Sequence, residues 1–154
     1  MIGEFEGFSG RLYNDPAGHC TIGYGHLVHR GPINGAEPQR FSRGITESQG
    51  RRLLREDARP AGEAVSSLVR VPLSQQQFDA LCSFTYNLGA GNLRRSQLLK
   101  RLNAGEYDAV PEELSKWVNA GGRELPGLVR RRRAEGVLFR AGSYPWQTQP
   151  AAAR

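Results

Sequence analysis

Three residues near the start of the chain have the types and the spacing that hydrolysis of a sugar polymer requires. Glu6, Asp15 and Thr21 are separated by eight and then by five residues. Hydrolysis of a glycosidic bond needs one carboxylic acid that protonates the leaving oxygen and a second carboxylate that holds or activates water. Glu6 could be the acid, because a carboxyl group shielded from water keeps its proton. Asp15 could be the second carboxylate, because a carboxyl group in a solvated turn stays ionised.

The same three residues also have ordinary structural interpretations. Asp15-Pro16 is a good turn opener, Glu6 could be a surface residue, and Thr21 belongs to a residue type common in strands. Pairs of acidic residues are frequent on protein surfaces. The spacing alone therefore leaves the catalytic and the structural interpretations open.

The elements expected around these residues form a small mixed region. Ile2 and Phe5, at helical spacing, predict a short helix that ends near Gly7. Residues 11–25 predict a β-hairpin, because strand-forming residues flank a turn rich in Asn, Asp, Pro and Gly. Residues 29–45 are rich in Gly and Pro and predict a loop or an irregular hairpin.

The rest of the chain has helical periodicity. A capping box at 46–49 begins a helical stretch to about residue 69, and Pro60 inside it should kink or break the helix. A second capping pattern at 74–77 begins a helix that Gly89 ends. Further helices are expected at about residues 93–103, 107–119 and 126–140.

The organisation predicted from these elements is an α+β fold in one domain. With 154 residues, of which 38% are hydrophobic, the chain is long enough to bury a core. The domain should cover residues 1–142. A long helix should join a small lobe with the hairpin, about residues 1–45, to a mainly helical lobe, about 46–142. Residues 143–154 should form a flexible tail.

The charge of the chain favours a polyanionic partner. The net charge is +6, and the excess of basic residues lies in the second half, where residues 130–133 are four consecutive arginines. Nucleic acid, an anionic membrane and a bacterial wall polymer all fit such a field. No apolar run is long enough for a membrane helix, and the N-terminus lacks the basic and apolar regions of a secretion signal.

The two cysteines, Cys20 and Cys82, are predicted to be free thiols. They lie far apart in sequence and lack the ligand spacing of a zinc site. A disulfide between them is the less favoured alternative. We therefore expect no metal and no cofactor.

The stretch from Glu6 to His26 closely resembles the motif of the phage lysozymes of the T4 type, glycoside hydrolase family 24. The shared pattern is Glu, eight residues, Asp, five residues and Thr, followed by Ile-Gly-Tyr-Gly-His. Later segments are also similar to this family, namely residues 73–81, 84–91, 96–99, 116–117 and 127–132. The resemblance covers about residues 4–140 and implies a lysozyme-like fold.

The resemblance implies a muramidase of the endolysin type that lyses bacterial cells. Its reaction would cleave the β-1,4 bond between N-acetylmuramic acid and N-acetylglucosamine in peptidoglycan, with inversion at the anomeric carbon. Glu6 would be the general acid, while Asp15 and Thr21 would together position the attacking water. His26 would have a structural role, and Arg130 would pair with the catalytic Glu.

The resemblance also implies substrate contacts on both lobes. They would be Leu27, Tyr86, Asn87 and Ser96. Core packing is the alternative interpretation for Leu27 and Tyr86, and helix capping is the alternative for Asn87 and Ser96.

Two other functions remain open at this point. One is a lytic transglycosylase, which keeps the acid but needs no water, and the other is a non-catalytic basic domain that binds wall polymer or nucleic acid. The favoured interpretation is a monomer that acts on peptidoglycan, without nucleic acid and without stable membrane insertion. Lacking a signal peptide, it would need a holin-like pore or a carrier protein to reach the wall.

Overall fold

The N-terminal region of the computed structural model, which describes residues 1–147, contains a three-stranded antiparallel sheet. The strands β1 (Ser9–Asn14), β2 (Cys20–Gly23) and β3 (His26–His29) lie in the order β1-β2-β3. The helix α1 (Ile2–Glu6) precedes the sheet, and the short helix α2 (Gln39–Ser42) follows it.

This sheet confirms the predicted hairpin and adds a third strand to it. Thr21 on β2 lies opposite Tyr13 on β1 and Leu27 on β3. The sequence analysis expected only loop or irregular hairpin in residues 29–45, where the structure has the end of β3 and α2. Elements of four residues are too short to produce a readable hydrophobic period.

The helix α3 (Glu47–Leu68) continues through Pro60. A break at this proline was one of the two predicted outcomes, and the structure shows that the helix is not broken there. The predicted capping box is present, since the Thr46 N–H donates to Gln49 Oε1 at 2.8 Å and the Gln49 N–H donates to Thr46 Oγ1 at 3.2 Å.

Two structural units divide the chain inside α3, at Met1–Arg59 and Pro60–Arg154. The change to a helical hydrophobic period at Thr46 predicted a lobe boundary between residues 45 and 46. The first part of α3 instead packs with the N-terminal elements. A Cβ added to Gly50 would lie 2.8 Å from the ring of Phe8, and one added to Gly3 would lie 3.4 Å from Leu54.

The second unit is mainly helical, as predicted. Its helices after α3 are α4 (Gln75–Leu88), α5 (Ala90–Arg95), α6 (Gln97–Asn103), α7 (Val110–Ser115) and α8 (Pro126–Ala141). A 3-10 turn at Tyr107–Ala109 precedes α7, and the short strands β4 (Asn119–Ala120) and β5 (Arg123–Glu124) pair between α7 and α8. The expected helix at 93–103 is thus two helices, and the one at 107–119 is shorter.

The hydrophobic core of the second unit forms around α4. Leu81 and Phe84 are fully buried and pack with Leu98, Leu102 and Phe139 from later helices. Full burial of each such side chain contributes about 1.5–3 kcal/mol. No helix within residues 1–147 combines the length and the apolar character needed to cross a bilayer.

The two cysteines are free thiols, as predicted. Cys20 is buried in the first unit and Cys82 is half-buried in the second. Burial, with a smaller contribution from the Asp79 carboxylate, raises the pKa of the Cys82 thiol to about 12. This thiol therefore stays protonated at neutral pH and is poorly nucleophilic.

The segment expected to be a flexible tail is packed in its first part. Pro145–Gln147 forms a 3-10 turn, and Gln147 is only 4% exposed. Gln77 Nε2 donates to Gln147 Oε1 at 2.6 Å, and Gln147 Nε2 donates back to Gln77 Oε1 at 3.2 Å. This reciprocal amide pair fixes the segment against α4. The remainder of the predicted tail, residues 148–154, lies outside the described residues.

Candidate active site

Glu6 is the last residue of α1 and lies against the turn between β2 and β3. The chain leaves the helix at Gly7, whose φ of 67° is accessible to glycine at little cost. The carboxylate oxygen Glu6 Oε2 lies 3.2 Å from the position that a Cβ on Gly25 would occupy. Gly25 has a φ of 75°, so both its conformation and its closeness to the carboxylate favour glycine.

Asp15 begins the turn between β1 and β2, and the backbone of this turn holds its carboxylate. The His19 N–H donates to Asp15 Oδ1 at 2.9 Å, and the Asp15 N–H donates to the His19 carbonyl at 2.9 Å. The Gly18 N–H closes the turn by donating to the Asp15 carbonyl at 2.8 Å. The backbone of the turn thus fixes the Asp15 carboxylate through one of its oxygens.

Thr21 is nearly buried in the central strand β2, with 3% of its surface exposed. Its hydroxyl donates to the His19 carbonyl at 2.9 Å. Because a hydroxyl has one proton and two lone pairs, this bond leaves Thr21 Oγ1 as an acceptor. Thr21 can therefore orient a water molecule only by accepting a hydrogen bond from it.

Tyr13 connects these groups electrostatically. It lies opposite Thr21 in the sheet. Burial raises the pKa of its phenol first, and the carboxylates of Asp15 and then Glu6 raise it further. The carboxylates of Glu6, at the end of α1, and of Asp15, in the turn after β1, therefore both act on the same phenol. The sequence analysis did not select Tyr13, although its position two residues before Asp15 on a predicted strand was a usable signal.

His26 holds β3 to α3 within the first unit. Its Nδ1 lies 2.9 Å from Asp57 Oδ2, and its ring centroid lies 5.7 Å from that of Phe41. These contacts fit the structural role expected for this histidine. Leu27, on the same strand, is 48% exposed, so core packing does not explain it.

Three candidate substrate contacts lie in the second unit. Tyr86 and Asn87 are half-buried near the end of α4. Asn87 Oδ1 accepts a hydrogen bond from Arg132 Nη2 at 2.7 Å and so supports a buried arginine. Ser96 caps α6, because its Oγ accepts from the Leu99 N–H at 3.0 Å and donates to the Leu93 carbonyl at 2.7 Å.

The four consecutive arginines of α8 divide into two kinds. Arg130 and Arg133 are exposed, whereas Arg131 and Arg132 are at most 5% exposed. Arg132 Nε lies 2.9 Å from Glu135 Oε1, and Arg131 Nη2 donates to the Ser83 carbonyl at 3.2 Å. The family resemblance selected Arg130 as the functional arginine. Which two of the four arginines are buried depends on how α8 is rotated about its axis, and the sequence alone does not give that rotation.

Both buried arginines lie next to the carboxylate of Glu135. The Ser83 hydroxyl donates to Glu135 Oε2 at 2.7 Å, and Arg131 Nε lies 3.6 Å from the same oxygen. Burial raises the pKa of Glu135 despite these partners, and it lowers the pKa of Arg132. This cluster keeps charged groups inside the unit and removes two arginines from its surface.

The fold is that of a lysozyme-type protein, as comparison with known structures shows. Over 90% of both chains, the structure matches the muramidase domain of SpmX from Asticaccaulis excentricus, with a TM-score of 0.74 and 35% identity. It matches a P22 lysozyme mutant with a TM-score of 0.76 and 35% identity, over 90% of this chain and 91% of that one.

Sequence comparison identifies the family. The sequence matches the family model described as "Phage lysozyme" over residues 3–135. It is 38% identical over 143 residues to the endolysin of Acyrthosiphon pisum secondary endosymbiont phage 1, covering 90% of this chain and 92% of that one. The chain belongs to the phage lysozyme family, as the motif predicted. This membership supports peptidoglycan hydrolysis of the muramidase type and cell lysis.

Proposed function

We propose that the chain hydrolyses the β-1,4 bond between N-acetylmuramic acid and N-acetylglucosamine with inversion at the anomeric carbon. Glu6 acts as the general acid, and Asp15 and Thr21 hold the attacking water. No metal or cofactor takes part in this reaction. The protein works as a monomer on peptidoglycan, without nucleic acid and without insertion into a membrane.

In this reaction two protons are transferred, the glycosidic bond at the anomeric carbon breaks, and a new bond forms between that carbon and the water oxygen. The protonated Glu6 carboxyl gives its proton to the glycosidic oxygen while the bond from that oxygen to the anomeric carbon breaks. The water attacks the anomeric carbon from the opposite face and releases a proton to the Asp15 carboxylate. Thr21 Oγ1 accepts the second O–H of this water and so fixes its orientation. A later proton exchange with solvent restores both carboxyl groups.

The observation that carries this proposal is that the backbone of His19 holds both water-positioning candidates: its N–H donates to Asp15 Oδ1 at 2.9 Å, and its carbonyl accepts the Thr21 hydroxyl at 2.9 Å. The effect of the Glu6 and Asp15 carboxylates on the pKa of Tyr13 supports a place for Glu6 in the same region. The His19 backbone N–H donates to the Asp15 carboxylate, and the Glu6 carboxylate lies beside Gly25, which has no side chain. The backbone donor fixes the orientation of the Asp15 carboxylate, which suits it for holding a water molecule in a defined position.

The substrate contacts Leu27, Tyr86, Asn87 and Ser96 stay predictions, and so does the pairing of Arg130 with the catalytic acid. Leu27 has the most exposed side chain of the four proposed contacts. Ser96 has only a lone pair left for a sugar, since its proton is donated to Leu93. We therefore expect Leu27 to contribute more to substrate binding than Ser96 does.

The buried arginines weigh against a non-catalytic basic domain as the function. A nucleic-acid or wall-polymer surface needs exposed cations. Arg131 and Arg132 are instead buried beside Glu135. The positive charge then has the smaller role of long-range attraction to an anionic wall, which salt weakens.

Digestion of purified peptidoglycan, with mass spectrometry of the soluble products, tests the proposal. We expect products that end in a reducing N-acetylmuramic acid. The Asp15→Asn and Thr21→Val variants should form the same products more slowly, by about 10²-fold or more for Asp15→Asn. Products that end in anhydromuramic acid, with both variants fully active, would instead identify a lytic transglycosylase.

A further inference from the structure

Three potential metal ligands meet on the sheet of the first unit. The ligand atoms of Cys20, His29 and Glu37 all lie within 4.8 Å of one another. Cys20 begins β2 and lies opposite His29, the last residue of β3, while Glu37 belongs to the loop before α2. Because the three residues are nine and eight positions apart on three segments, no sequence motif shows them together. The expectation that the chain lacks a metal-ligand cluster does not hold for this geometry.

His29 presents the nitrogen lone pair that a metal requires. Its Nδ1 lies 2.9 Å from the Arg30 carbonyl oxygen. A carbonyl can only accept, so Nδ1 carries the proton and the neutral ring has its lone pair on Nε2. Nε2 is buried and has no hydrogen-bond partner among the described residues. A histidine that donates its other N–H to a carbonyl is the usual arrangement of a metal-bound imidazole.

Glu37 contributes a buried carboxylate with one oxygen that makes no hydrogen bond among the described residues. Its side chain is only 1% exposed. Glu37 Oε1 accepts from the Asn34 N–H at 2.8 Å and the Gly35 N–H at 3.4 Å. Oε2 is buried and, within residues 1–147, has no hydrogen-bond partner. The loop therefore fixes the carboxylate through one oxygen and leaves the other available.

His29 and Glu37 lie close together without a hydrogen bond between them. His29 Nε2 lies 3.8 Å from Glu37 Oε1, which is too long for a hydrogen bond. Two buried acceptors beside a thiol cost free energy unless a cation joins them. A thiolate, an imidazole and a carboxylate together are a ligand set that suits zinc.

We propose that Cys20 Sγ, His29 Nε2 and Glu37 Oε2 bind one zinc ion, with water as the fourth ligand. Zinc displaces the thiol proton of Cys20, which leaves to solvent as the sulfur–zinc bond forms. At ordinary bond lengths the ligand atoms of a tetrahedral zinc site lie about 3.5 Å apart. The three side chains must therefore draw together by roughly 1 Å.

The site is structural and does not depend on the proposed hydrolysis. Zinc would link the loop that carries Glu37 to the strands β2 and β3. Cys20 directly precedes Thr21, so the ion also fixes the strand that holds this candidate site residue. The expected consequence is a more stable first unit.

Cobalt and zinc titrations of the full chain test the site. The reduced protein is freed of metal with a chelator and then titrated with Co²⁺, whose thiolate complex gives a charge-transfer band in the near ultraviolet. We expect saturation at one equivalent and loss of the band when Zn²⁺ is added. Zinc at about 100 times its Kd should raise the Tm by roughly 5–10 °C.

Matched variants assign the ligands. Cys20→Ser and Glu37→Gln should each lower the affinity for zinc at least tenfold, and Glu37→Gln keeps the oxygen that accepts from Asn34. Cys82→Ser and Glu63→Gln are the controls, since the first alters the other thiol and the second an exposed acid, and both should bind zinc normally. Absence of the cobalt band from the folded wild type, or its loss in Cys82→Ser but not in Cys20→Ser, would overturn the proposal. Wall lysis by the same samples reports separately on the hydrolase.

Discussion

The catalytic candidates of the first unit and the charged cluster of the second are held in different ways. Glu6 and Asp15 lie at the ends of short elements and are partly exposed; a backbone N–H donates to Asp15, and Gly25 lies beside Glu6. Glu135 is fully buried, and its oxygens contact the side chains of Ser83, Arg131 and Arg132. The first two carboxylates are therefore partly accessible to solvent, whereas the second cluster keeps its charges inside the fold.

This difference separates activity from stability. Water screens the charge interactions of a partly exposed carboxylate, so removing that charge costs little free energy of unfolding. Removing one member of a buried ion cluster leaves the others desolvated and unpaired. The two regions should therefore respond oppositely to the same kind of substitution.

The largest effect is expected on activity in Glu6→Gln. The amide cannot supply the proton, so the rate of peptidoglycan hydrolysis should fall about 10²–10⁴-fold, measured as turbidity loss of purified walls. The free energy of unfolding should change much less than the barrier to hydrolysis, by about 1 kcal/mol or less. Glu4→Gln, an exposed change in the same helix, is the control and should keep full activity. An active Glu6→Gln protein would remove Glu6 from the mechanism.

The reverse pattern is expected in Glu135→Gln. Loss of this charge leaves Arg132 buried without its carboxylate, so the free energy of unfolding should fall by about 3–5 kcal/mol in denaturant titration. Glu112→Gln, on the exposed side of α7, should change it by less than about 0.5 kcal/mol. Equal stabilities of the two variants would contradict the contrast between the regions.

A smaller effect that links the two properties is expected in Gly25→Ala. A φ of 75° strains alanine by about 1–2 kcal/mol, and the new methyl would press on Glu6 Oε2 at 3.2 Å. We expect this stability loss together with a roughly tenfold loss of activity, about 1.4 kcal/mol of barrier. Gly105→Ala has a similar φ of 84° with nothing within 4 Å of the added Cβ, so it should lose stability alone. Similar activity in both variants would show that the methyl does not disturb Glu6.

The smallest effect is expected in Ser96→Ala. Loss of the cap of α6 should cost about 1 kcal/mol of unfolding free energy, and Ser96→Asp should restore most of it. KM should stay within about twofold of the wild type in both variants, because the Ser96 hydroxyl proton is already donated. A severalfold increase in KM in both variants would assign Ser96 a direct sugar contact.

Features encoded by adjacent residues could be predicted from the sequence. The capping boxes at 46–49 and 74–77 are present, and α4 ends at Gly89, which has a φ of 90°. Glu6, Asp15 and Thr21 could be selected because their family's motif spans only a short stretch. Each of these signals depends on local backbone geometry or on a continuous pattern.

Features that depend on tertiary packing could not be predicted. The sequence predicted one helix over residues 93–103, whereas the structure has two helices, α5 and α6, that are separated at Ser96. Which arginines of α8 are buried depends on the rotation of that helix, and the nearness of Glu37 to Cys20 depends on an irregular loop. Such contacts join residues whose separations follow neither a helical nor a strand period.

The anomeric configuration of the first product tests the central claim most directly. Nuclear magnetic resonance spectra, recorded while a soluble peptidoglycan fragment is being cleaved, distinguish the two anomers before they interconvert. Water held by Asp15 and Thr21 on the face opposite the leaving group should give the α-anomer first from the β-linked substrate. Initial formation of the β-anomer, or of an anhydro sugar, would contradict the account.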